Sequence, residues 1–347
     1  MPELILVTGA SGFLGSHIVV QLLEKGYHVR GVARGAKADE LSAAYASYGS
    51  AFSVVKITGL NDPFPDAFVG VSGLIHVATP MPGVAPIDEM VQQAIDGTLN
   101  AIIQAEKAGV KKVVVTSSIA TVKNMAAGTG ETDKDWNPMP AEYALASKQP
   151  MLVYAVSKTL SEKALWDWAE KHPHVEVTTL NPTFFFGPFT PNFPIPAEPK
   201  NNNFSTNNIL YNVLFRDGQY IPIATRYIDV RDVAAAHIAA LSSPPTSQVG
   251  RKRMIISSPS AWSVKQLVAF VREKRPELKD RLMENIPEPA PDDVPAYVDW
   301  DRVKLVLGLS KEDFKPIETT MLETVDALLA VEKVWKEKGL EPARAAW

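Results

Sequence analysis

Short apolar runs alternate along most of the chain with longer stretches whose apolar positions recur at helical spacing. The first run, residues 4–7, leads into Thr8-Gly9-Ala10-Ser11-Gly12-Phe13-Leu14-Gly15, and Ile18, Leu22 and Leu23 continue the spacing opened by Phe13 and Leu14. This predicts a buried strand, a glycine turn and a helix over 16–24 that lays one face on a sheet. Further strands are predicted over 28–32, 52–57, 73–77, 112–116, 175–180 and 254–256, with long helices over 87–108 and from Tyr154 to about Glu170. Strand and helix in alternation predict the α/β class, a doubly wound parallel sheet with right-handed crossovers. Beyond residue 188 the pattern changes. Residues 189–218 are rich in Pro, Asn and Phe and keep a period only near 209–215, whereas 264–272 reads as a helix with Ser263 as N-cap. Pro287, Pro289, Pro291 and Pro295 suggest stiff extended connections, and 318–338 reads as a final amphipathic helix.

The first turn carries the first chemical signal. Gly9 allows the tight bend, Gly12 lets a pyrophosphate approach the backbone, and Gly15 lets helix and strand pack closely. The N-terminal end of the helix then offers N–H groups and a positive dipole end to phosphate. Ser11, Phe13 and Leu14 complete this part of the expected cofactor set. Arg34 falls at the end of the second predicted strand, where NAD-preferring sites commonly carry Asp or Glu; an arginine there can grip a 2′-phosphate, with Lys37 as a second positive charge. The expected cofactor is therefore NADPH/NADP+. Ligands of such sheets lie outside the carboxyl ends of the strands, and Ala78, Thr79, Thr116, Pro182 and Thr183 all fall at such ends.

Tyr154-Ala155-Val156-Ser157-Lys158 supplies a phenol and an ammonium one helical turn apart on one face. An unaided phenol titrates near pH 10, so a tyrosine acting near neutrality needs its anion stabilised, and the ammonium of Lys158 is expected to lower its pKa. Ser118, at the end of the fifth strand, can hydrogen-bond a reacting oxygen. Two similar pairs fit less well. Tyr143 and Lys148 are five residues apart, about 140° around a helix, and Pro150 interrupts that helix. Tyr227 and Arg231 are correctly spaced, but the sequence there reads as a strand.

Residues 7–15, Thr116-Ser117-Ser118, 154–158, 181–188 and Tyr227-Ile228-Asp229-Val230-Arg231-Asp232-Val233-Ala234 together resemble the extended short-chain dehydrogenase/reductase superfamily, in its dihydroflavonol reductase and fungal aldehyde (methylglyoxal) reductase branch. The resemblance covers roughly residues 4–330. It implies NADPH-dependent reduction of an aldehyde or ketone through Ser118, Tyr154 and Lys158, with Ser117 the weaker serine. It also implies that Lys158 holds the nicotinamide ribose, and it places Lys123, Met151 and Phe184 at the substrate pocket. The implied organisation is a Rossmann domain over 1–188, completed by about 219–258 and the C-terminal helix, with a smaller, mixed substrate lobe over 189–218 and 259–317. One departure stands out: relatives carry an acidic residue near the adenine after the third strand, and this chain has Thr58-Gly59-Leu60.

Composition narrows the remaining classes. With 347 residues, 46% of them apolar, the chain can bury a sizeable core. A net charge of −4 without a long basic run argues against a nucleic-acid surface, and Arg251-Lys252-Arg253 reads as a solvated loop before a strand. The chain has no cysteine, which excludes disulfides and thiolate chemistry. No membrane-length apolar stretch or signal peptide is read, and the expected compartment is the cytoplasm. Asn203-Phe204-Ser205 fits a glycosylation sequon and is read as unmodified. The six histidines include no pair at metal-ligand spacing, so no metal is expected, and His76 reads as a satisfied core residue. The expected partner is a small carbonyl substrate, and both a monomer and a homodimer through 87–108 and 153–170 are compatible. Two alternatives stay open. An NAD-dependent nucleotide-sugar epimerase or dehydratase needs a cationic diphosphate pocket, whereas residues 189–220 offer only Lys200 and Arg216. A dinucleotide sensor without chemistry would not need the triad.

Overall fold

The computed structural model describes residues 2–80, 86–122, 132–199, 204–219, 226–286 and 296–344. Lys123, Lys200, Asn203, Tyr220 and the four prolines of 287–295 lie outside them. In chain order the elements are β1 (Leu4–Thr8), α1 (Phe13–Glu24), β2 (His28–Arg34), α2 (Ala36–Ala44), β3 (Phe52–Ile57), β4 (Gly73–His76), α3 (Ile87–Lys107), β5 (Lys112–Thr116), α4 (Ala141–Ser147) and α5 (Pro150–Lys171). There follow β6 (Glu176–Pro182), β7 (Phe184–Phe186), α6 (Asn207–Val213), β8 (Tyr227–Asp229), α7 (Val230–Ala240), α8 (Thr246–Val249), β9 (Lys252–Ile256), α9 (Val264–Lys274), α10 (Trp300–Leu307) and α11 (Ile317–Glu337).

The chain divides into two compact units, the first formed by Met1–Pro182, Ala234–Ile256 and Tyr297–Leu309. Its sheet has the order β3-β2-β1-β4-β5-β6-β9, and each neighbouring pair is parallel. The order reverses beside β1, and such a switch point opens a crevice at the strand ends. On one face of the sheet Leu6, Leu74, Val113 and Val177 pack with Ala101, Ile102 and Leu165 of α3 and α5. Ser161 of α5 donates to Thr98 Oγ1 (2.8 Å) and the Ala94 carbonyl (3.0 Å) of α3, so the two helices also share polar contacts. Pro150 starts α5 rather than interrupting a helix, since its missing N–H falls in the first turn, where no intrahelical bond is due. Tyr154 therefore stands just over one turn inside α5.

Lys252 and Arg253 correct an expectation. They are not in a solvated loop but in β9, 1% and 3% exposed, and ion-paired with Glu176 at 2.7 Å and Glu162 at 3.0 Å. Charge alone misleads here, because a buried cation is tolerated when a carboxylate and further hydrogen bonds meet it. Of that trio only Arg251 is exposed, with its guanidinium on Glu170 and over Trp166.

The second unit comprises Thr183–Val233, Ser257–Ala296 and Ser310–Trp347. It contains the parallel pair β7-β8 and a core in which Met321, Val325, Leu328 and Trp335 of α11 meet Leu210 and Tyr211 of α6 and Leu267 and Val271 of α9. The C-terminal helix thus belongs to this unit and does not complete the Rossmann unit as expected; its apolar stripe is matched by α6 and α9. The other boundaries differ too: the change of unit comes at 182/183, residues 219–233 lie in the second unit and 297–309 in the first. Ser263 caps α9 as predicted, in a reciprocal capping box with Gln266.

Candidate active site

Thr8 ties the ends of β1 and β4 together. Its Oγ1 accepts the N–H groups of Val77 (3.1 Å) and Ala78 (3.2 Å) and lies 3.0 Å from His76 Nδ1. Gly9 follows with φ of 71°, and a Cβ there would stand 2.9 Å from the Ala78 nitrogen. At Gly15 a Cβ would stand 2.0 Å from the Gly9 carbonyl oxygen, so β1 and α1 close to a distance that only glycine permits. Gly12 is exposed and caps α1 without a side-chain hydrogen bond, which leaves the helix's N-terminal end uncovered by a capping side chain. Phe13 and Leu14 are buried and Ser11 is half-buried. Arg34 and Lys37 are both exposed, one ending β2 and the other in the first turn of α2. These features fit a dinucleotide: a glycine cradle with no room for side chains, a dipole end for pyrophosphate, and two solvated cations at the neighbouring strand end. Beyond β3, the Oδ2 of Asp62 lies 3.0 Å from where a Cβ on Gly59 would be, so a carboxylate does stand close to the position that the sequence leaves bare.

Lys158 is buried, and its Nζ donates to the Thr116 carbonyl at 2.7 Å and to Thr79 Oγ1 at 3.4 Å. The ends of β4 and β5 are thereby joined to α5. Thr116 Oγ1 in turn lies 2.7 Å from His237 Nε2. Ser118 is half-buried and hydrogen-bonds the Tyr154 phenol. Its neighbour Ser117 is buried and donates to Glu162 Oε2 at 2.7 Å, which commits that hydroxyl to the interior. The first unit therefore gathers Tyr154, Lys158, Ser118, Thr116 and Thr79 at one end of the parallel sheet.

The electrostatics revise one expectation. Burial pushes the Tyr154 phenol above its usual pKa, and the hydrogen bond with Ser118 only partly offsets it. The ammonium of Lys158 was expected to lower that pKa, but it points toward Thr116 and Thr79, and burial dominates. Burial brings Lys158 itself down to about 8, against the attraction of Glu162. His76, buried and repelled by Lys158, falls to about 3 and so stays neutral.

Other expected site residues have different settings. Pro182 ends β6 in the first unit, whereas Thr183 and Phe184 belong to the second, where Thr183 Oγ1 donates to Ser257 Oγ at 3.1 Å and Phe184 packs on the core. Met151 is 43% exposed in the first turn of α5. Both decoy pairs fail. Lys148 follows the end of α4 with φ of 51°, and Tyr227 ends up on β8 while Arg231 pairs with Asp229 at 2.7 Å. The sequence reading missed a buried cluster around Glu162. That residue repeats the spacing of four from Tyr154 and Lys158, a signal that was available.

Residues 5–255 match the NAD dependent epimerase/dehydratase family. The chain belongs to that family. Among its relatives is a Candida albicans protein named as an NADPH-dependent methylglyoxal reductase, 32% identical over 335 residues, covering 90% of this chain and 95% of the relative. A bifunctional dihydroflavonol 4-reductase/flavanone 4-reductase of Pyrus communis is 32% identical over 286 residues, 79% of this chain and 77% of that one. The crystal structure of Candida albicans Gre2 in complex with NADPH superposes with a TM-score of 0.77 at 26% identity, covering 95% of this chain and 99% of Gre2. These likenesses place the chain in the dihydroflavonol reductase and fungal methylglyoxal reductase branch, among oxidoreductases of the extended short-chain type.

Proposed function

We propose that the protein is an NADPH-dependent carbonyl reductase, reducing an uncharged aldehyde or ketone to an alcohol and running in reverse when the alcohol is in excess. The observation that carries this reading is the convergence of Tyr154, Lys158 and Ser118 at the strand ends, with the Ser118 hydroxyl already on the Tyr154 phenol. Among relatives, the names methylglyoxal reductase and dihydroflavonol 4-reductase both describe carbonyl reduction. Gly9, Gly12, Gly15 and the N-terminal end of α1 would hold the pyrophosphate, Arg34 and Lys37 the 2′-phosphate, and Lys158 with Thr79 the nicotinamide ribose. Bound there, the reduced nicotinamide supplies the hydride.

The chain's own residues supply orientation and the proton. Ser118 and Tyr154 donate hydrogen bonds to the substrate carbonyl oxygen, polarising it, and the developing alkoxide takes the phenol proton. A phenol whose burial raises its pKa keeps that proton at neutral pH, which suits the reductive direction. Lys158, with its Nζ held on the Thr116 carbonyl and Thr79 Oγ1, would act on the phenolate left behind only through space, as a buried positive charge one helical turn away.

The test is an NADPH-oxidation screen of purified protein against aromatic, aliphatic and dicarbonyl substrates, with NADH in parallel. Turnover of at least one uncharged carbonyl with preference for NADPH is expected. Selective use of NADH, or a tightly retained NAD with nucleotide-sugar turnover, would overturn the reading.

A further inference from the structure

Behind the site lies a polar cluster wholly within the first unit. Glu162 and Arg253 are 2% and 3% exposed, and their ion pair measures 3.0 Å. Glu162 Oε2 accepts from Ser117 Oγ (2.7 Å), Thr121 Oγ1 (2.7 Å) and Asn181 Nδ2 (2.9 Å), while Oε1 accepts from Thr179 Oγ1 (2.8 Å) as well as Arg253. These donors come from the turn after β5, from β6 and from β9. Arg253 also donates to the carbonyls of Asp133 (2.6 Å) and Asp135 (2.7 Å) and lies 3.8 Å from the Trp136 ring centroid.

An ion pair this deep is weak evidence for stability, since an apolar pair of the same volume often serves a fold as well. Its placement is more informative. Ser117 and Thr121 bracket Ser118, and the Thr121 N–H donates to the Ser118 carbonyl at 3.0 Å. Glu162 itself stands one turn beyond Lys158 on the face of α5 that carries Tyr154. We propose that Glu162, held by Arg253, is a positioning residue: it fixes the turn that presents the Ser118 hydroxyl and sets a negative charge one helical turn behind the Lys158 ammonium.

Both roles follow from a carboxylate being acceptor-only. Glutamine would turn an N–H₂ toward two or three of the five donors and leave them unmet. It would also remove the carboxylate that attracts Lys158, and among the described residues the other titratable groups near it do not replace that charge: His76 of β4 is neutral, Tyr154 is a protonated phenol, His237 of α7 lies against Thr116 Oγ1, and Arg253 of β9 is a cation. The ammonium would then be lost at lower pH.

This inference rests on the carbonyl-reductase reading, and the full chain tests it through Glu162→Gln and Glu162→Asp, with kcat against pH, NADPH affinity by fluorescence, and Tm. In Glu162→Gln the alkaline limb of kcat is expected to move toward acid by about one pH unit, with kcat near pH 7 down about tenfold and NADPH affinity within about threefold of wild type. Glu162→Asp, which keeps the charge but retracts it, should return the limb to its wild-type position while kcat stays low. A kcat lowered equally at every pH, or unchanged, would overturn the proposal. Ser117→Ala covers the case in which Glu162→Gln does not fold: it removes one tether of the turn and leaves the charge, so kcat should drop about threefold with the limb in place, and an unchanged kcat counts against it. A wild-type protein that turns over no carbonyl sinks the function itself; an active wild type with an unmoved limb in Glu162→Gln sinks this inference alone.

Discussion

The roles proposed for Tyr154 and Lys158 rest on what surrounds them as much as on their spacing. The spacing of four put both on one face, which was legible, whereas the direction of the phenol's pKa was not, because burial is a property of the assembled site. Replacing Tyr154 by Phe removes the proposed proton donor with little change of shape. Turnover should fall at least about a hundredfold while NADPH binding, read by fluorescence, persists; a mutant as fast as wild type would refute the assignment. Arg34 is exposed at the end of β2, so its substitution risks little stability. Arg34→Ala should weaken NADPH binding by about tenfold and NADH binding hardly at all, since only the former carries the 2′-phosphate that a guanidinium grips.

Among the elements, the β1-turn-α1 unit is the most rigidly specified. A Cβ at Gly15 would meet the Gly9 carbonyl oxygen at 2.0 Å, and neither partner is a flexible side chain that could move aside. Gly15→Ala should therefore destabilise the protein by more than about 3 kcal/mol, beyond an ordinary overpacked core position, and lower Tm even without cofactor. An alanine variant with wild-type Tm would show that strand and helix can separate there. This unit was readable because every requirement is local: an apolar run, glycines at fixed offsets and a helical repeat. β9 was harder. Its cations resemble a solvated loop until Glu176 and Glu162, 76 and 91 residues away in sequence, are brought against them. The start of α5 was likewise misplaced, since Pro150 breaks a helix that runs through it but suits one that begins there.

At the scale of the molecule, the second unit holds a carboxyl group that should make stability depend on pH. Asp232 is 8% exposed and accepts the Lys315 N–H at 2.8 Å; burial and the neighbouring Asp229 push its pKa up to about 7 from 3.8. A raised carboxyl pKa means the folded state keeps a proton that the unfolded chain has released. The stability so gained is complete below the unfolded pKa, shrinks as pH rises through the interval, and is gone above about 7. Asn can accept the same N–H without ionising, so the Tm of Asp232→Asn relative to wild type should climb between pH 4 and pH 8. A constant offset across that range would exclude the titration.

The seven strands of the parallel sheet, the glycine turn, the spacing that proposes Tyr154 and Lys158 as a pair, and the family were legible in the sequence alone, because each depends on residues within a few turns of one another or on motifs in fixed order. Tertiary structure decided which unit takes α11, that Ser117 serves the interior while Ser118 meets Tyr154, and that Glu162 and Arg253 share one buried pair. Those outcomes turn on burial and on partners far apart in the chain, and an apolar stripe or a lone charge carries no record of what will cover it.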